Sequence, residues 1–190
     1  AVEIDPTNPG YYSNLASIFN SMQEQESALV SAEKGIEVSP EFAPAFFQKG
    51  ISLGKQNRIS EALVSFYTAS KFGFSEVQVL NETARLKQFQ GDFLGAIEDI
   101  RRALAIDADN PQAYFQLSQF VNLGEYEFTE AQLDSLRNFL ALPELNFVAS
   151  NRLNVAMAVH LEKQEDFSAA FEHYARAADA THGLGEEQGF

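Results

Sequence analysis

The side chains able to do acid–base or metal chemistry in this 190-residue chain are three histidines and 27 carboxylates, with no cysteine among them. Without cysteine there is no thiolate nucleophile, no disulfide and no Cys-ligated zinc, and the redox compartment is left undetermined. His160 and His173, joined by Glu162, Glu172 or Asp179, could in principle assemble a metal site, with His182 further along. No two histidines stand at i, i+4, however, and no His-Glu-x-x-His run occurs, so no helical face presents a ready ligand pair. The carboxylate pairs Glu24/Glu26, Glu98/Asp99 and Glu186/Glu187 read as solvated surface. Neither a phosphate-cradling glycine loop nor a Gly-x-Ser-x-Gly elbow is present. We expect no catalytic residue, no cofactor and no bound metal. What does recur is a hydrogen-bonding set, Asn14, Gln48, Glu82 and Gln116, each 34 residues after the one before. Three of its members are amides, which both donate and accept.

The same interval orders the rest of the chain. Tyr12, Phe46, Leu80 and Tyr114 recur at it, as do Ala16, Gly50, Ala84 and Ser118, and again Ala28, Ala62 and Ala96. Ala1-Val2-Glu3-Ile4-Asp5-Pro6 reappears as Gly35-Ile36-Glu37-Val38-Ser39-Pro40, so the first residues read as the end of a unit. A fixed period of this length marks a solenoid of helix pairs. Tyr12, Leu15, Ala16 and Phe19 share one helical face by their i, i+3, i+4, i+7 spacing, and Ala28, Leu29, Ala32 and Ile36 share another. Small residues (Ala16, Gly50, Ala84, Ser118 and Ala158 on first helices; Ala28, Ala62, Ala96, Ala131 and Ala170 on second) are expected to form notches that receive the rings of partner helices. Gly50 in mid-helix costs about 1 kcal/mol against Ala, which a close crossing explains.

Tyr12-Ser13-Asn14-Leu15-Ala16, Gly91-Asp92-Phe93-Leu94-Gly95-Ala96-Ile97 and Pro111-Gln112-Ala113-Tyr114-Phe115-Gln116-Leu117 carry a resemblance to the tetratricopeptide repeat (TPR) family. The resemblance implies an all-α solenoid, a right-handed superhelix of antiparallel helix pairs. Its units would be a half-repeat at 1–8, repeats at 9–42, 43–76, 77–110, 111–146 and 147–180, and a tail or linker at 181–190. Departures are informative. Phe74 and Ala108 stand where the unit closes on proline, so those turns should lean on packing or on Pro111. Ala131 follows Gly124 by seven positions, whereas Ala96 follows Gly91 by five, so the fourth repeat is irregular. The apolar stretch from Leu145 through Leu161 predicts a longer first helix in the fifth repeat, and the last helix, Ser168 to Ala180, should turn Phe171 and Tyr174 inward. This C-terminal third, with Ala158-Val159-His160-Leu161-Glu162-Lys163 and Asp166 through Tyr174, is similar to the last repeats of bacterial TPR–sulfotransferase fusions.

In the TPR family first helices line a concave groove. The resemblance therefore implies groove candidates at Asn14, Phe47, Gln48, Asn81, Glu82, Arg85, Phe115, Gln116 and Gln119, with Ser13, Ser17, Gln88 and Asn122 beside them. An amide ladder at one-repeat spacing would hold the backbone of an extended peptide. Phe47 and Phe115 would either anchor apolar side chains of a partner or pack along the repeat seam. Arg85 would pair either with an acidic group of a partner or with Glu82 three residues earlier on the same face. The family's carboxylate clamp is missing, since its positions read Ser13, Ser17, Gln48, Gln78 and Glu82.

The expected function is thus a non-catalytic scaffold that binds a protein or extended peptide in its groove. The alternative is the substrate-presenting arm of a sulfotransferase-like enzyme whose catalytic domain lies outside this chain. A net charge of −14 opposes nucleic-acid binding and docking on anionic lipid, and no apolar run is long enough for membrane insertion. Self-association through the open N-terminal half-repeat, at Ala1, Val2 and Ile4, is a third expectation.

Overall fold

The computed structural model describes residues 7–143 and 145–187, of which 180–187 are described by backbone alone. Among the described residues ten α-helices follow in order: α1 (Pro9–Ser21), α2 (Gln25–Val38), α3 (Ala43–Lys55), α4 (Ile59–Lys71), α5 (Glu76–Phe89), α6 (Phe93–Ile106), α7 (Pro111–Leu123), α8 (Glu130–Leu140), α9 (Phe147–Lys163) and α10 (Phe167–Glu187). They form two compact units that meet in sequence between Gln90 and Gly91. The half-repeat proposed for self-association lies almost wholly outside the described residues.

Local chemistry explains the helix starts. Pro9 and Pro111 open α1 and α7, where a missing N–H costs nothing. Asn8, Asn110 and Asn146 cap their helices by accepting from Gly10 N (2.9 Å), Ala113 N (3.1 Å) and Ala149 N (3.0 Å). Thr129 and Gln132 close a reciprocal capping box at α8. Reversals within the pairs use left-handed backbone at one repeated register, Gln23 (φ 62°), Asn57 (φ 60°) and Gly91 (φ 80°), and again at Glu165 (φ 62°).

In the N-terminal unit α1 packs on α2 and α3 on α4, while α1, α3 and α5 lie side by side. Its core joins Phe47, Leu53, Ile59, Phe66, Val79 and Leu86. The expected notches are filled: Ala16, Ala28 and Ala62 are wholly buried, and a Cβ placed on Gly50 would lie 2.7 Å from Phe66 Cε1. Phe74, replacing a closing proline, stacks on Phe47 with centroids 4.2 Å apart and planes at 20°.

In the C-terminal unit α9 is the common floor, in contact with α7, α8 and α10. At 17 residues it is longer than the 13-residue α7, as the apolar stretch predicts. The turn lacking proline at Ala108 is held by the Tyr114 hydroxyl, which donates to Ala108 O at 3.1 Å. Three expectations are corrected. Ala131 is exposed, and α8 buries Leu133 and Leu136 instead, because the longer connection turns the helix about its axis. Phe171 is 73% exposed and Tyr174 37%, because α10 sets Ala170, His173 and Ala177 against α9. The α10 backbone also stays helical to Glu187, past the Ala180 expected.

Candidate functional site

The first helices of the N-terminal unit carry most of the sequence-derived candidates. Asn14 on α1 is exposed. Gln48 on α3 is half-buried, and its Oε1 accepts from Asn20 Nδ2 at 3.1 Å. On α5, Arg85 donates to Glu82 Oε2 through Nε (3.0 Å) and Nη2 (2.8 Å), the intrahelical pairing their spacing predicts. Asn81 is 9% exposed and sits in the seam, as does Ser13 at the same register, 5% exposed. Of the two roles open to Phe47, partner anchor or packing along the seam, burial favours packing, and as a groove candidate it is corrected to a core residue. It is 8% exposed, stacked on Phe74 and tilted against Phe66 with centroids 5.4 Å apart. The register that places it on the first-helix face also points it at the ring that replaced a proline.

A polar clasp between α1 and α3 went unnoticed in the sequence. Asn20, 4% exposed, donates through Nδ2 to Gln48 O (3.2 Å) and accepts at Oδ1 from Ser52 Oγ (3.1 Å). Lys55 Nζ donates to the Asn20 carbonyl. Two exposed apolar side chains were missed as well, Ile18 on α1 (54%) and Phe89 on α5 (73%). A large apolar residue late in a first helix, off the notch face, is the signal that could have found them. On α5, Phe89 follows Arg85 by four residues and stands exposed beside it on the helix surface. A separate cleft of about 360 Å³ between α3 and α4 is floored by Phe46 and Leu53; its cation, Lys49, is held by Glu33 at 2.9 Å.

In the C-terminal unit Phe115 and Gln119 on α7 are half-buried, and Gln116 is 5% exposed. Gln116 is therefore a buried position at the register where Asn14 is exposed. The histidines separate by role. His173 Nδ1 lies 2.8 Å from Asn154 Oδ1, a carbonyl oxygen that accepts, so this ring nitrogen carries the proton. Asn154 in turn donates to Ser150 O at 2.9 Å, which makes His173 part of the α9–α10 packing. His160 sits edge-on to Phe128, centroids 6.2 Å apart, at a cleft of about 460 Å³ that opens where the fourth repeat is irregular. Burial, then the neighbouring Arg137 charge, holds the His160 imidazole below its usual range, with Glu130 opposing. Burial likewise lowers His173, aided by Arg176 and opposed by Glu172. Among the described residues no group of three or more His, Asp or Glu could hold a metal ion, and no helix is long and apolar enough to cross a membrane.

No family model matches the chain. It is similar to small glutamine-rich tetratricopeptide repeat-containing protein 2 of Mycosarcoma maydis, 30% identical over 66 residues, covering 35% of this chain and 19% of that protein. It is also similar to DnaJ homolog subfamily C member 3 of Rattus norvegicus, 33% identical over 139 residues, covering 72% of this chain and 26% of that protein. The chain thus spans less than a third of either relative. Among solved structures it resembles YrrB, described as a TPR protein with an unusual peptide-binding site, with TM-score 0.53 and 20% identity over 89% of this chain and 84% of that one. MamA from Desulfovibrio magneticus RS-1 gives TM-score 0.59 and 14% identity over 93% and 96% of the two chains.

Proposed function

We propose that this chain, an all-helical tetratricopeptide-repeat solenoid, is a non-catalytic scaffold that holds an extended peptide or protein segment on the first helices of its N-terminal unit. The observation that carries this reading is Phe89, a ring 73% exposed on α5, beside Arg85 and Glu82 and on the same side-by-side layer of helices as Gln48. A ring with no core to fill is suited to anchor an apolar side chain, and the polar groups around it suit a peptide backbone. Asn14 and the exposed Ile18 extend the surface along α1. The peptide-binding site named for YrrB and the tetratricopeptide repeats named for the Mycosarcoma maydis relative agree with an interaction role. Phe115 and Gln119 stay candidates in the C-terminal unit only through their half-buried edges, while Gln116 is buried and Asn81 keeps only a seam position. The transferase-arm reading has no observation among the described residues that favours it, and the formal charge of −14 disfavours nucleic acid as the partner.

Peptide display tests the reading. Peptides selected from a random library on the intact chain should lose about tenfold in affinity, roughly 1.4 kcal/mol, against Phe89→Ser and Arg85→Ala. The melting temperatures should stay unchanged. Selected peptides that bind both variants as tightly as the parent chain would refute it.

A further inference from the structure

The irregular fourth repeat opens onto a second cleft. One, of about 460 Å³, lies among the α7–α8 connection, α8 and α9 and is bordered by Arg137, His160 and Lys163 together with the carboxylates Glu127 and Glu130. The other, of about 430 Å³, lies among α8, α9 and α10 and is bordered by Arg137, His160, His173 and Arg176. They share Arg137 and His160, so they adjoin. Leu140, Met157 and Leu161 give the second an apolar floor. From Gly91 onward the chain has six basic and 17 acidic residues, a formal net of −11. Half of those six cations, Arg137, Lys163 and Arg176, border these two clefts. The first cleft sets two carboxylates against its two cations, whereas the second has Arg137 and Arg176 over its apolar floor and no carboxylate in its lining.

We propose that the adjoining clefts bind an acidic segment of a partner protein, in which carboxylates meet Arg137 and Arg176 while an aliphatic side chain between them enters over Leu140, Met157 and Leu161. Both guanidinium groups reach solvent, with side chains 55% and 62% exposed, and each now holds only an exposed carboxylate of its own helix, Asp134 at 2.8 Å and Glu172 at 3.6 Å. Solvated pairs of this kind contribute little, so an incoming carboxylate displaces them at small cost and gains a two-pronged hydrogen bond. His160 and His173 add ring faces to the wall without adding to the cation count at neutral pH, since burial lowers both. A long polyanion such as nucleic acid would also run over the acidic surface beyond the clefts and be repelled there. A short segment seated in the second cleft avoids that wider surface, since charges beyond the ~8 Å screening length count for little. The apolar floor, for its part, is matched by an aliphatic side chain and by no phosphate.

The inference does not depend on the N-terminal face, and the test separates the two. Fluorescence anisotropy on the intact chain would use a fluorescein-labelled peptide with two leucines flanked on either side by paired carboxylates. An analogue with amides in place of the carboxylates serves as comparison. Saturable binding of the acidic peptide is expected, weaker by roughly tenfold or more for the analogue and for the Arg137→Gln/Arg176→Gln double variant. Phe89→Ser should leave it unchanged. Should the double variant melt differently from the parent chain, Arg176→Gln alone, at an exposed side chain, supplies the comparison. Failure of the acidic peptide to bind, equal affinity for the amide analogue, or undiminished binding by the arginine variants would overturn the proposal. So would a single-stranded DNA 10-mer that binds as tightly. Sedimentation showing a dimer that the arginine variants abolish would assign the clefts to a second copy of the chain, and would overturn it too.

Discussion

Gly50→Ala puts the close packing of α3 on α4 to a quantitative test. In the middle of a helix this exchange ordinarily stabilises by about 1 kcal/mol, because alanine loses less backbone freedom on folding. Here the new methyl would stand 2.7 Å from Phe66 Cε1, 2.8 Å from Cδ1 and 3.0 Å from Cζ. The ring cannot easily retreat, since Phe66 is wholly buried and tilted against Phe47 with centroids 5.4 Å apart. Overpacking of this kind costs about 1–3 kcal/mol. The net expectation is a loss of about 1 kcal/mol, which at an urea slope of about 2 kcal/mol per molar lowers the midpoint by about 0.5 M. The sharper reading comes from a double-mutant cycle with Phe66→Leu. Once the ring edge is gone, Gly50→Ala should recover its helical gain, giving a coupling of about 2 kcal/mol. If Gly50→Ala raised the midpoint by the same amount in both backgrounds, the ring would not be seated on the glycine, and the account of the notch would be wrong.

The packing and electrostatics of the fold set four further outcomes. Phe47→Ala should cost about 3–5 kcal/mol in urea titrations because Phe47 is a core ring, only 8% exposed; a loss under ~1 kcal/mol would return it to the surface. Asn20→Ala removes the donor to Gln48 and one of the two acceptors of Ser52, which keeps Gln48 O, and should cost about 1–2 kcal/mol, read as a shift in urea midpoint at constant slope. Gln23→Gly relieves left-handed backbone at φ 62° and should raise the melting temperature, with a gain of up to about 1 kcal/mol. His160 and His173 are held below their usual range mainly by burial, so between their folded values and the unfolded value of about 6.5 the unfolded chain binds more protons. Their contribution is complete above pH ~6.5 and is lost as the pH falls through that value towards the folded ones. Melting temperature should drop between pH 7.5 and 5.5, and should drop less in a His160→Gln/His173→Gln variant.

The repeating parts of the fold were legible because one physical requirement recurs at one spacing. A ring on one helix needs a small residue opposite, so Ala16, Gly50 and Ala84 on first helices, and Ala28, Ala62 and Ala96 on second, announce both the pairing and its register. Of the two turns without proline, the one at Phe74 is held by packing, as expected, through its stacking on Phe47, whereas the hydroxyl bond from Tyr114 that holds the turn at Ala108 was not among the expectations. The candidate site was less legible. Phe47 shares its register with Ser13 and Asn81, and the pattern places all three on first helices. Whether such a position is groove or seam depends on the neighbour one helix pair away, and Phe74 decides it for Phe47. Phe89 escaped notice because it belongs to the last turn of its helix, where the alternation of notch and ring no longer constrains residue type.

The fourth repeat shows why irregularity resists reading and why it matters for binding. Two more positions between Gly124 and the next alanine change which face of α8 is buried, from the face of Ala131 to that of Leu133 and Leu136. A helix turned in this way no longer presents a small residue to its neighbour, so it cannot close down at the spacing of the regular pairs. The spare volume is lined by whatever the turned faces carry, here Tyr126 and Phe128 from the connection and Arg137 and His160 from the helices. In a regular array each pair buries its neighbour's face, so exposed chemistry is confined to what the repeat register permits. A break in register is the one place where the second helices can gather residues unrelated by the period. In a unit of formal net −11 the break lets Arg137 border the same cleft as Arg176, with no carboxylate in its lining, while Lys163 shares the other cleft with Glu127 and Glu130. Deleting the two extra positions should close the clefts and abolish acidic-peptide binding while strengthening, rather than weakening, the pairing of α8 with its neighbours. Retained binding by such a deletion variant with intact helicity would break the link between the insertion and the clefts.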